Sequence, residues 1–209
     1  MQSQSFQTEQ EQFWAGEFGD DYIHRNQGDA LLASNLDFFV KSLKQTRTLN
    51  NCIEFGANIG MNLKALQLLF PKLDAYGIEI NPKAAALLAQ SIPTNNVYTT
   101  SLLNFEPTRS WDLTLIKGVL IHLNPSVLPV VYDKLVQSCG RYLLVAEYYN
   151  PSPVAIPYRG HTDRLFKRDF AGEIMDRHAN MKLIDYGFAY RRDPNFPQDD
   201  ITWFLMEKR

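Results

Sequence analysis

The sequence predicts a doubly wound α/β fold: a mostly parallel sheet of seven strands whose last strand runs antiparallel, with an N-terminal helical segment folded against it. Three observations carry this. From about residue 48 onwards, short apolar runs alternate with helix-like patterns, as in successive β-α units. The first run, Cys52-Ile-Glu-Phe-Gly-Ala-Asn-Ile-Gly60, passes through a glycine-bearing turn into a helix. The second, Ala75-Tyr-Gly-Ile-Glu79, ends on a carboxylate. Strand, glycine turn, helix, strand and acid is the plan of a nucleotide-binding βαβ unit.

The elements follow in order. Residues 8–26 are rich in aromatics and acids, among them Phe13, Trp14, Phe18, Asp20 and Tyr22. Residues 29–45 read as an amphipathic helix with Leu32, Leu36, Phe39, Val40 and Leu43 on one face. Strand 51–56 leads to helix 60–70, which stops before Pro71. Strand 74–79 precedes a helix opened by Asn81-Pro82, since Asn is a good N-cap and Pro suits the first turn. A short strand at 95–100 is followed by strand 111–117 and a helix from near Asn124-Pro125. Strand 141–147 runs into a Pro- and Tyr-rich loop that extends to about Leu165. Helix 167–178 precedes a terminal pair of strands, Leu183 to Tyr190 and Ile201 to Glu207. Residues 1–47 are expected to form a helical lid on a single globular unit, 48–209.

Composition excludes several classes. The 209 residues hold 21 Lys plus Arg against 23 Asp plus Glu, so no basic excess suggests nucleic acid. No apolar stretch reaches the roughly 20 residues of a membrane helix. The N-terminus lacks the basic and apolar regions of a secretory signal, which predicts a cytoplasmic protein. Cys52 and Cys139 lie in apolar runs and read as small buried hydrophobes. The histidines at 24, 122, 161 and 178 are not paired at metal-ligand spacing, so no metal is expected. No coiled-coil seam is present to fix an oligomeric state.

A dinucleotide fingerprint needs glycines where this chain has Gly56, Asn58 and Met61, so a nicotinamide-dependent oxidoreductase fits poorly. The pattern acid-x-Gly-x-Gly-x-Gly matches at Glu54, Gly56 and Gly60, with Asn58 in the middle position. Asn tolerates positive φ better than other non-Gly residues, so the turn survives. This stretch and the sheet plan resemble the Rossmann-like class I S-adenosylmethionine-dependent methyltransferases. Further words narrow the resemblance: Phe13-Trp-Ala-Gly-Glu-Phe-Gly-Asp20, Lys117-Gly-Val-Leu-Ile-His-Leu-Asn124, Pro157-Tyr-Arg-Gly-His161 and Leu165-Phe-Lys-Arg-Asp-Phe-Ala-Gly172. Together with Glu147-Tyr-Tyr-Asn-Pro151 and Asp193-Pro-Asn-Phe-Pro-Gln-Asp-Asp200 they resemble the pseudaminic acid biosynthesis-associated methylase family. That name places such proteins beside sialic-acid-like sugar pathways.

Ligands of such sheets bind beyond the carboxyl ends of the strands, which gathers residues 56–60, Glu79, Ser101, residues 117–122 and residues 147–168 around one cleft. Glu79 is placed to accept both ribose hydroxyls, because a carboxylate only accepts. The resemblance implies that Gly56, Asn58 and Gly60 approach the methionine half of S-adenosylmethionine, with Glu54 bracing the loop or meeting the amino group. It also implies that Ser101 and Leu102 flank adenine, although many relatives carry an acid at Ser101, and that the Lys117 carbonyl faces the cofactor amino group. His122 is the leading general base, since neutral imidazole accepts a proton near pH 7; His161 and Tyr158 are further candidates. Tyr148, Tyr149, Arg159, Lys167 and Arg168 combine aromatic faces with cations suited to an acidic sugar or nucleotide sugar. The expected activity is methyl transfer to an oxygen or nitrogen of such a small molecule, leaving S-adenosylhomocysteine. The alternative is a catalytically silent cofactor-binding module that serves a partner enzyme.

Overall fold

A computed structural model describes residues 6–158, 160 and 164–209. Helices α1 (Glu9–Ala15), α2 (Glu17–Ile23) and α3 (Asp29–Ser42) come first. Then follow β1 (Asn51–Phe55), α4 (Met61–Leu69), β2 (Asp74–Glu79), α5 (Pro82–Leu88), β3 (Val97–Thr99) and β4 (Trp111–Lys117). The remainder comprises α6 (Leu128–Ser138), β5 (Cys139–Glu147), β6 (Val154–Ala155), β7 (Phe166–Lys167), α7 (Phe170–Arg177), β8 (Met181–Ala189) and β9 (Ile201–Lys208).

Seven strands form one sheet in the order β3-β2-β1-β4-β5-β9-β8. Pairing is parallel from β3 to β5, whereas β9 runs antiparallel to both its neighbours. The expected mixed seven-stranded sheet is therefore present, and its last strand lies between β5 and β8. Strand residues alternate between two apolar layers. Cys52, Leu113, Leu115 and Leu144 face the layer shared with α3 and α4. Ile53, Phe55, Ile116, Leu143 and Val145 face the layer that also holds Val131, Leu135 and Ile174 of α6 and α7. Both faces are thus covered, which is why the central strands read as nearly continuous apolar runs.

Local chemistry sets the element ends. Asn81 caps α5 by accepting from the backbone N–H groups of Lys83 and Ala84. Asp169 caps α7 by accepting from Gly172 N, so this helix begins at Phe170 rather than at residue 167. Asn124 opens a 3-10 turn, Pro125–Val127, that feeds α6. The loop after β5 contains the short β6–β7 ribbon, which the sequence pattern does not reveal. Val40 was expected on the buried face of α3 but is 57% exposed. The buried stripe instead passes through Asn35, Phe38, Phe39 and Ser42, because α3 turns that face toward α4 and the sheet.

The β1–α4 turn takes the conformation its residues allow. Gly56, Asn58 and Gly60 all have positive φ, at 78°, 48° and 86°. Among the described residues Asn58 is the non-glycine with positive φ. Replacing it with a β-branched residue in this left-handed region costs roughly 1–2 kcal/mol. Asn58→Val is expected to lower the unfolding free energy by that amount and so to lower the urea midpoint, while Asn58→Gly leaves the midpoint unchanged or raises it. Equal midpoints for the two variants would show that the turn does not hold this conformation.

Candidate active site

One cavity opens beyond the carboxyl ends of β1 to β4, as the topology requires of a doubly wound sheet. Its floor is the glycine turn, Glu79, and Lys117 with the residues that follow it. Trp14, Gly19 and Tyr22 of α1 and α2 line it from the other side. Gly56, Asn58, Glu79, Ser101, Leu102, Lys117 and His122 all line this space, although they span 67 positions of sequence. Gly60 stands behind the turn as the left-handed N-cap of α4.

Glu79 organises the turn. Its Oε2 accepts from Asn58 N at 2.7 Å and its Oε1 from Asn81 N at 2.7 Å. Burial raises its pKa above the ordinary carboxylate value, and the bonds from Asn81, Asn58 and Ile80 oppose that rise. An ionised carboxylate offers about four acceptor positions, so further hydroxyl donors can still be accommodated.

Glu54 is 1% exposed beneath the turn. Its Oε1 accepts from Asn62 Nδ2 at 2.6 Å, while Glu54 Oε2 and Asn62 Oδ1 are buried with no partner among the described residues. Burial pushes the Glu54 carboxyl up to about 8, against the lowering effects of Asn62 and Lys117. Lys117 is shifted downward by the same cause, and Glu54, Asp199 and Glu147 counter that shift. Its Nζ lies 5.4 Å from the Phe38 ring centroid.

His122 sits on a 3-10 turn, Leu120–His122, built on another buried acid. Glu147 Oε1 accepts from Val119 N at 3.0 Å and from Leu120 N at 2.9 Å. Burial pushes the Glu147 carboxyl up to about 7, and these backbone bonds pull it down. The His122 Nδ1 lies 2.7 Å from the Arg164 carbonyl oxygen. A carbonyl can only accept, so Nδ1 carries the hydrogen and Nε2 keeps its lone pair. The ring packs 4.8 Å from Trp14 and 5.2 Å from Tyr158, centroid to centroid. Burial holds its pKa down at about 4, so the imidazole is neutral at physiological pH.

The remaining expected site residues are placed differently. Tyr149 is exposed and bridges to Arg168 through a backbone pairing. Arg168 Nε donates to Glu173 Oε1 at 2.8 Å. Lys167 Nζ lies 5.2 Å from the Tyr148 ring centroid, and neither residue lines the cavity. Arg159 and His161 fall outside the described residues. Glu11 emerges at the site without having been singled out. It is buried, lines the cavity, and accepts a hydrogen bond from Ser101 Oγ. The capping box formed by Thr8 and Glu11 was a readable local signal, but its docking against Ser101 was not. Among the described residues no cluster of three or more metal-ligating side chains exists, and no helix is long and apolar enough to cross a membrane.

No protein-family model matches the sequence, and no curated protein matches it significantly. Solved structures do match the fold. A 1,6-didemethyltoxoflavin-N1-methyltransferase from Burkholderia thailandensis, with S-adenosylhomocysteine bound, is 12% identical with a TM-score of 0.70, covering 95% of this chain and 86% of that one. A sugar N-methyltransferase from a Streptoalloteichus species is 12% identical with a TM-score of 0.65, covering 93% of this chain and 94% of that one. Mitomycin 7-O-methyltransferase gives 12% identity and a TM-score of 0.65, covering 97% of this chain but 61% of the longer enzyme. The similar structures are class I S-adenosylmethionine-dependent methyltransferases of small molecules, and this chain has their Rossmann-like fold.

The low pKa of His122 has a direct consequence. Because the folded value of about 4 lies below the ordinary 6.5, stability is fully present above 6.5 and is drawn away as pH falls toward 4. The difference in unfolding free energy between wild type and His122→Phe is expected to be constant above pH 7 and to shift against the wild type between pH 6.5 and 4. A pH-independent difference, read from urea melts, would place the His122 titration at its ordinary value.

Proposed function

We propose that this protein is an S-adenosylmethionine-dependent methyltransferase whose acceptor is a small polar molecule, namely a sialic-acid-like sugar or its nucleotide-linked form. The observation that carries the reading is the convergence of the left-handed turn, Glu79 and a neutral His122 on one cavity. Bound there, the cofactor supplies a sulfonium methyl group that already carries its leaving group. Everything else is the work of the chain. Glu79 receives the ribose hydroxyls on its unused acceptor positions. The two unpaired acceptors, Glu54 Oε2 and Asn62 Oδ1, suit a cationic amino group. His122 Nε2 would take the proton from an acceptor hydroxyl, leaving its oxygen able to receive the methyl group that the cofactor would supply. Trp14 and Tyr22 exclude water and present aromatic faces to positive charge. In this reading residues 1–47 act as the lid on the unit 48–209, because α1 and α2 supply that wall. The sugar acceptor is supported by the sequence words that resemble the sugar-associated family, and by a sugar N-methyltransferase among the similar folds.

Calorimetric titration with S-adenosylmethionine and S-adenosylhomocysteine tests the reading, followed by a labelled-methyl screen of acidic sugars and nucleotide sugars. Glu79→Ala is expected to weaken binding of both ligands at least tenfold. His122→Ala should bind them normally yet turn over about 10²- to 10⁴-fold more slowly. Unchanged affinity in Glu79→Ala would remove the site assignment. Binding without product across the screen would favour the silent module.

Glu54 adds a pH signature. A carboxyl held at about 8 is mostly protonated at pH 7, and a cation arriving beside it expels the proton. Affinity for S-adenosylhomocysteine is therefore expected to rise from pH 6 to 8, and the binding enthalpy to depend on buffer ionisation. A buffer-independent enthalpy, or the same dependence in Glu54→Gln, would exclude this coupling.

A further inference from the structure

The far end of the cavity has an unusual owner. With the ribose at Glu79 on β2 and the amino-acid end at the turn after β1, the base of the bound nucleoside must lie toward β3, the next strand in the sheet. The wall there combines the apolar Leu102 and Leu103 with polar Thr8, Gln10, Thr100 and an acid–hydroxyl pair. That pair is the Glu11 carboxylate with the Ser101 hydroxyl bonded to it, brought together across 90 positions of sequence, and it holds the acidic side chain of this wall. Glu11 is 6% exposed. Its Oε2 is held by Thr8 N at 2.9 Å and by Gln7 N, and its Oε1 accepts from the serine hydroxyl. The Ser101 oxygen in turn accepts from Leu103 N at 3.0 Å.

We infer that Glu11, on the N-terminal helix, is the residue that reads the base: its Oε1 accepts a hydrogen bond from an exocyclic amino group and so selects adenine over 6-oxopurines. The inference rests on the proposed cofactor. The physical ground is one-sidedness. A carboxylate has no donor, so an amino group finds a partner and a ring carbonyl meets uncompensated negative charge in a buried place. Ser101 is then a positioning residue, with its hydroxyl hydrogen committed to Glu11. The carboxylate comes from α1, so base recognition depends on the docking of α1 at the cavity wall.

The experiment compares S-adenosylhomocysteine with S-inosylhomocysteine, which carries a carbonyl in place of the amino group, by calorimetry on wild type, Glu11→Ala and Glu11→Gln. Wild type is expected to prefer the adenosyl ligand tenfold or more. In Glu11→Gln the single amide oxygen is kept by the Thr8 cap and the amide N–H faces the base, so the preference falls to unity or reverses. Glu11→Ala binds both ligands weakly and equally. Retention of the wild-type preference by Glu11→Gln would overturn the inference, even should Glu11→Ala fail to fold. Equal binding of the two ligands by wild type would overturn it while leaving the methyltransferase reading intact. Binding of neither ligand by wild type would remove both.

Discussion

The site depends on one carboxylate spanning two turns. Glu79 ends β2 and receives the backbone N–H groups of Asn58 and Asn81, so the loop after β1 and the start of α5 are fixed to a single buried side chain. Without it two backbone donors would be left unpaired in a nearly dry place, at about 1–3 kcal/mol each. Asn58 makes this bond from a left-handed conformation, φ 48°. The same residue that shapes the turn is the one proposed above to hold a ligand's hydroxyls. Loss of its charge would therefore act on structure and binding together.

The same device recurs at the end of β5. Glu147 receives the N–H groups that open the turn bearing His122, and Glu54 lies between them under the glycine loop. Glu79 lines the cavity, whereas Glu54 and Glu147 are buried acids at the ends of β1 and β5 that brace the surrounding turns, with Lys117 lowering the pKa of both. His122, a neutral imidazole whose Nδ1 is fixed on the Arg164 carbonyl, stands at the same cavity.

Much of this was legible in the chain itself. The β-α alternation, the acid ending the second strand and the tolerance of Asn58 for a left-handed turn are local patterns, and each predicted its element within a few residues. The role of Glu147 as a brace was not legible, because nothing local ties it to the N–H groups of Val119 and Leu120. Glu11 escaped notice for the same reason: its capping box is a four-residue signal, but its meeting with Ser101 depends on how α1 docks. The basic loop shows the opposite failure. Arg168 reads as a free cation until Glu173, one turn into α7, claims it. Charge near a cleft is visible in sequence, whereas its commitment to a neighbour is a tertiary fact.

The position of β9 has a bearing on how the protein is made. β9 follows β8 in the chain but lies inside the sheet, and β8 joins only through it. Until β9 arrives, β5 is an open edge, with Leu143, Leu144 and Val145 beside a row of unpaired backbone groups. Such an edge is a template for pairing with other chains. The interval between synthesis of β5 and delivery of β9 is thus when a nascent molecule is most prone to join its neighbours, and crowded translation of this sequence carries that hazard from one ribosome to the next.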